Sequence, residues 1–104
     1  MTFEELYQGL KKLGRPVAYD HFTEVPDLPF LAFIDEGKET FIADEKIWTK
    51  GTKIRLELYF ETKCPDLEER IEAILEEIGL LWEDEPTYYI DSERLYQHNY
   101  FFMI

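Results

Sequence analysis

The sequence predicts an α+β domain in the order α-β-β-(β)-β-α-β-β. It reads as an antiparallel, partly mixed sheet of about five strands with two helices packed on one face. Two segments, residues 3–13 and 67–78, repeat their apolar residues at helical spacing. Elsewhere the period falls to two, most clearly where Ile54, Leu56, Leu58 and Phe60 alternate with Arg55, Glu57, Tyr59 and Glu61. A length of 104 residues, 45% of them hydrophobic, is one core's worth of chain and too short for two ordinary domains. Residues 1–104 are therefore read as a single domain.

The first helix opens on Thr2 with Glu5 three residues later, the spacing of a capping box. Phe3, Leu6, Tyr7, Leu10 and Leu13 form its stripe, Gly14 stands as C-cap, and Pro16 stops continuation. Alternation over residues 17–22 then predicts a strand, placing Val17, Tyr19 and His21 on one face. Pro26 and Pro29 force a connection. The apolar run 30–34 is too short for a helix and reads as a strand buried on both faces. By composition, residues 35–38 form a turn.

Residues 39–49 carry Phe41, Ile42, Ile47 and Trp48, interrupted by Asp44, Glu45 and Lys46, and read as an irregular strand or extended excursion, weakly packed until it orders against a neighbouring subunit; the alternative is an edge hairpin whose apolar side closes the sheet. The clearest strand begins after Gly51. The second helix starts at Asp66, with Pro65 just before it and Glu69 at capping-box spacing. Leu67, Ile71, Ile74, Leu75 and Ile78 form its apolar stripe, and Gly79 ends it. Its other face, with Glu68, Glu69, Glu72, Glu76 and Glu77, is expected in solvent. Residues 81–90 read as a strand broken at Pro86. Residues 94–104 read as a terminal strand with Tyr96, His98, Tyr100, Phe102 and Ile104 on one face.

Net charge is −12, and residues 61–93 hold twelve acids against only Lys63 and Arg70. Binding phosphates needs clustered Lys and Arg to release counterions, so this surface is expected not to hold nucleic acid. No apolar run approaches the length that crosses a bilayer, and the first residues lack the pattern of a signal peptide. Cys64 has no intrachain cysteine partner. These features lead us to expect a soluble protein of a reducing compartment.

Catalytic and ligand motifs are sparse. The five glycines stand apart, with no dinucleotide or Walker-type loop, and no cofactor is expected. His21, His98 and Cys64 are separated in sequence and lack zinc-ligand spacing, so no metal site is expected. Cys64 beside Pro65 stands at a helix N-terminus, which can lower a thiol pKa, but it reads as an inert residue serving as a cap. Both histidines read as hydrogen-bonded members of sheet faces. The acidic groups at 35–36 and 83–85 lack the ligand spacing of a calcium loop and read as charged turns. With no catalytic residue identified, the chain is not expected to be an enzyme. Seven Tyr, eight Phe and two Trp exceed what a core of this size hides, so exposed aromatics suited to contact surfaces are expected.

Five stretches carry a resemblance: PVAYDHF at 16–22, LPFLAF at 28–33, ADEKIW at 43–48, IRLELY at 54–59 and SERLY at 92–96. Together with the opening helix, they are similar to tail completion proteins (tail terminator or head-to-tail joining proteins) of siphophages and prophages of Gram-positive hosts. The likeness spans almost the whole chain, in packing and turn patterns rather than chemical motifs. Cys64 departs from it, standing where a charged or small polar residue is expected. The resemblance implies a mixed α/β fold without cofactor, a homo-oligomeric sixfold ring in the virion tail, assembled in the host cytoplasm, and neighbours in the tail tube protein and a head-completion connector. It also implies that DNA passes through without being bound. Phe41, Ile42, Ile47 and Trp48 are the candidate subunit or partner contacts. The alternative is a tail-assembly or host-directed adaptor that binds protein without entering the virion.

Overall fold

The computed structural model describes the backbone throughout, and all side chains except those of Phe41, Ile47, Trp48 and Thr49. Helix α1 (Phe3–Lys11) begins with the expected capping box: the Glu5 amide donates to Thr2 Oγ1 at 3.1 Å, and the Thr2 amide donates to Glu5 Oε1 at 3.3 Å. Its C-cap is Lys12, with Gly14 two residues beyond at φ 74°, a conformation that disfavours a side chain. Strand β1 (Val17–Tyr19) is shorter than the sequence suggests. Asp20 turns to φ 67°, which breaks the extended run and leaves His21 outside the strand.

Strands β2 (Phe30–Ala43) and β3 (Lys46–Phe60) form one long antiparallel hairpin. The turn expected at residues 35–38 is instead a bulge: Gly37, at φ 110°, donates its amide to Asp35 Oδ1 at 2.7 Å, and pairing continues beyond it. The chain reverses at Asp44 and Glu45, both in the left-handed region (φ 52° and 61°), the backbone of a two-residue hairpin turn. A second irregularity between Phe41 and Ile42 shifts the register, which accounts for the broken apolar pattern over 39–49. That segment is therefore the outer end of two paired strands with an irregularity in their ladder, and β3 starts before Gly51.

Helix α2 (Pro65–Ile78) starts one residue earlier than expected. Cys64, not Asp66, occupies the N-cap, and its side chain makes no capping hydrogen bond. Gly79 closes the helix at φ 91°, as expected. The stretch 81–90 splits around Pro86 into β4 (Trp82–Asp84) and β5 (Tyr88–Ile90), both paired antiparallel to β6 (Leu95–Met103). Sheet order is β1-β2-β3-β6-β4, with β5 also on β6; β1 runs parallel to β2 and every other pair is antiparallel.

The α+β class holds, with six strands. The core lies between the sheet and both helices. Leu6 and Leu10 of α1, Ile71 and Leu75 of α2, and Leu31, Leu56, Leu58 and Tyr100 of the sheet are completely buried. Each such leucine stabilises the fold by about 1.5–3 kcal/mol through transfer from water. Phe30, Leu31, Ala32 and Phe33 are all buried, so this strand is covered on both faces as expected. Gly9 lets the helices approach: a Cβ there would come within 3.1 Å of Ile78 Cδ1.

Candidate interaction surface

β6 ends against β3 at the Lys53–Met103 pair, with two further backbone hydrogen bonds between Thr52 and Ile104. Residues 38–51 continue past that point as a ribbon of two strands, and among the described residues no third strand joins them. This arm helps make the molecule 49 Å long and only 28 × 26 Å across. An isolated two-stranded ribbon buries too little to be stable by itself.

Of the four contact candidates, Ile42 lies on this arm and is 66% exposed. The side chains of Phe41, Ile47 and Trp48 lie outside the described residues; in the ladder Phe41 pairs with Thr49, and Ile47 with Ile42. The register also sorts the arm into two faces. Lys38, Thr40 and Ile42 share one face with the cross-strand partners Thr52 and Lys50, and that face holds no carboxylate. The opposite face carries Glu39 and Lys53, paired at 3.5 Å. Lys38 and Lys50 are exposed and form no ion pair.

At the root of the arm a groove of about 790 Å³ opens toward the α2–β4 connection. Ile54, Phe101 and Met103 line it, with Leu81 and Trp82 across from them and Glu39 at the rim. Leu81 is 94% exposed. Phe3, Tyr19, Tyr88, Tyr89 and Tyr96 are also exposed, as the aromatic excess predicts.

The helix-free face of the sheet carries a polar network not anticipated from the sequence. Buried Glu57 accepts from Arg55 Nε and Gln97 Nε2 at Oε2 and from the Tyr59 hydroxyl at Oε1, each at 3.0 Å. Gln97 Nε2 also donates to Asn99 Oδ1 at 2.8 Å, and Asn99 Nδ2 donates to Glu85 Oε1 at 2.6 Å. Arg55 closes the other end on Glu36 at 3.0 Å. Burial works against the Arg55 charge, but Glu57 and Glu36 outweigh it and hold the guanidinium pKa above its ordinary value. Burial, then Glu57, pushes the Tyr59 phenol well up. The alternation of Arg55, Glu57 and Tyr59 is visible in the sequence; their partners on β6 are 40 residues away and are not.

The candidate chemical residues fall into separate places. His21 is exposed, with Nδ1 3.0 Å from Asp20 Oδ2. Cys64 is half-buried, and burial followed by Glu68 raises its pKa despite the opposing Lys63, so the thiolate is disfavoured. His98 is buried between Thr87 Oγ1, 2.7 Å from Nδ1, and Asp84 Oδ2, 3.0 Å from Nε2. A hydroxyl, an imidazole and a carboxylate in line have the composition of a nucleophile triad. Here they join β4, the Pro86 connection and β6, and they account fully for the polarity of a histidine on the core face.

Two acids expected in solvent are not there: Glu68 is buried with Lys63 Nζ at 2.9 Å, and Glu72 is half-buried and accepts from the Tyr100 hydroxyl. Both sit where α2 turns toward the sheet. Among the described residues no three or more His, Cys, Asp or Glu side chains group to hold a metal, and no helix is long and apolar enough to cross a membrane. No model of a known protein family matches this sequence, and no curated protein matches it significantly.

Proposed function

We propose that this chain is a structural protein of tailed phages or prophages that completes the tail tube at its head-proximal end and joins tail to head, as a homo-oligomeric, sixfold ring through which DNA passes. The observation that carries this reading is the two-stranded arm. Residues 38–51 leave the sheet as a ribbon that no third strand joins among the described residues, with exposed Ile42 near the tip, a shape that gains stability against another protein surface. The net charge of −12 suits a conduit from which DNA must slide freely. The resemblance in the sequence supplies the identity of the assembly, with the tail tube protein and a head-completion connector as neighbours.

The test is genetic and structural together. Residues 40–50 are replaced by a two-residue Asn-Gly turn closing the Glu39–Gly51 pair. The shortened protein is expected to fold with unchanged stability, because the core residues among those described all lie outside the arm. In the host, filled heads and finished tails should then accumulate unjoined. Mass spectrometry of wild-type particles should find the protein in the virion. Its absence from purified particles assigns it to the adaptor class instead, and normal infectious particles from the shortened variant remove the arm from the function.

A further inference from the structure

Charge is distributed unevenly along this acidic protein. Residues 38–53 hold four lysines and three acids, net +1, whereas residues 61–93 hold twelve acids and two bases, net −10. Within the arm the lysines are sorted as well. Lys38 and Lys50 sit diagonally on the face shared with Ile42, with no carboxylate among them and no ion pair made. On α2, Asp66, Glu69, Ala73 and Glu76 are exposed at spacings of three, four and three residues, which places them in one stripe along the helix. None of the three carboxylates in that stripe has an ion-pair partner, since the cations on or near α2 are used elsewhere: Lys63 by Glu68, and Arg70 by the Lys12 and Leu13 carbonyls.

We infer that the Lys38–Ile42–Lys50 face of the arm docks on the Asp66–Glu69–Ala73–Glu76 stripe of a second copy of this chain. The inference rests on the ring reading above and names the surface that receives the arm. Ala73 gives the stripe a small apolar centre where Ile42 can lie, flanked by carboxylates for the two ammonium groups. The contact is heterologous, because arm and stripe are different surfaces, so repetition gives a ring where the rotation between successive copies closes. It also buries the basic face of each subunit and leaves the rest of the ring acidic.

The experiment uses the full chain at low ionic strength and millimolar concentration. Sedimentation should show self-association that weakens as salt is added. Both K38E/K50E and E69K/E76K should remain folded by circular dichroism and lose association, and mixing the two variants should restore it through the swapped pair. Carbodiimide coupling of mixed unlabelled and nitrogen-15 protein should join Lys38 or Lys50 to α2 carboxylates between copies. A wild-type chain that stays monomeric, association unaffected by K38E/K50E, or a mixture that fails to recover would each overturn the docking. Restored association by a protein absent from particles would leave the docking standing and remove the tail reading. Particles containing the protein, with no recovery in the mixture, would do the reverse.

Discussion

The Tyr100 hydroxyl, on the core face of β6, donates a 2.9 Å hydrogen bond to Glu72 Oε2 of α2. Tyr100 is completely buried, so this bond ties the sheet to a helix side chain otherwise aimed at solvent. Trp82 packs edge-on against the same ring at 5.5 Å. Tyr100→Phe keeps the packing and removes only the donor, so it should cost about 1 kcal/mol in urea denaturation. Tyr100→Ala should cost about 3–5 kcal/mol through the cavity.

The same tyrosine governs behaviour in alkali. Burial and the bond to Glu72 push its pKa far up, and burial with Glu57 does the same for Tyr59. The folded state therefore holds these protons more tightly than the unfolded chain. The stability they contribute is present below the unfolded value of about 10 and is lost as pH rises above it. Denaturation midpoints should fall steeply above about pH 10, and Tyr100→Phe should flatten that fall.

Core packing differs between β3 and α2. Leu58 is fully buried and Ile74 only partly so. Leu58→Ala should cost about 2–5 kcal/mol, and Ile74→Ala clearly less. Equal losses would mean that α2 sits deeper on the sheet than described.

His98 holds the two shortest strands in place. With Asp84 on one ring nitrogen and Thr87 on the other, it pins β4 and β5 around Pro86. His98→Leu should cost about 1–3 kcal/mol by leaving those partners unmatched. Amide exchange should accelerate selectively over residues 82–90. Uniform acceleration across the sheet would argue against a local clamp.

Charge predicts a negative result that is easily measured. The purified protein should not shift duplex DNA at physiological salt, because its cations are few and dispersed. Micromolar binding that weakens with added salt would contradict the conduit reading.

Periodicity alone determined both helices, the clean alternation of β3 and the α+β class. The capping box at Thr2 and Glu5 and the cap glycine at Gly79 marked helix boundaries that the structure retains. These features are local: each depends on residues within a turn or two of one another. The sequence misled wherever a residue type permits several outcomes. Gly37 produces a bulge rather than a turn because residues 51–53 are present opposite to continue the ladder.

The functional surface belongs almost wholly to this second kind. The segment 39–49 stood out in sequence as a broken pattern, an irregular strand or an edge hairpin, and pairing shows it to be the end of a projecting hairpin arm. The faces of that arm depend on two register shifts, and a shift of one residue moves every side chain to the opposite side. Glu57 and Gln97, and Asp84 and His98, likewise meet only because β6 lies between β3 and the edge strands. No local spacing encodes that adjacency. It follows from closing one sheet over one core.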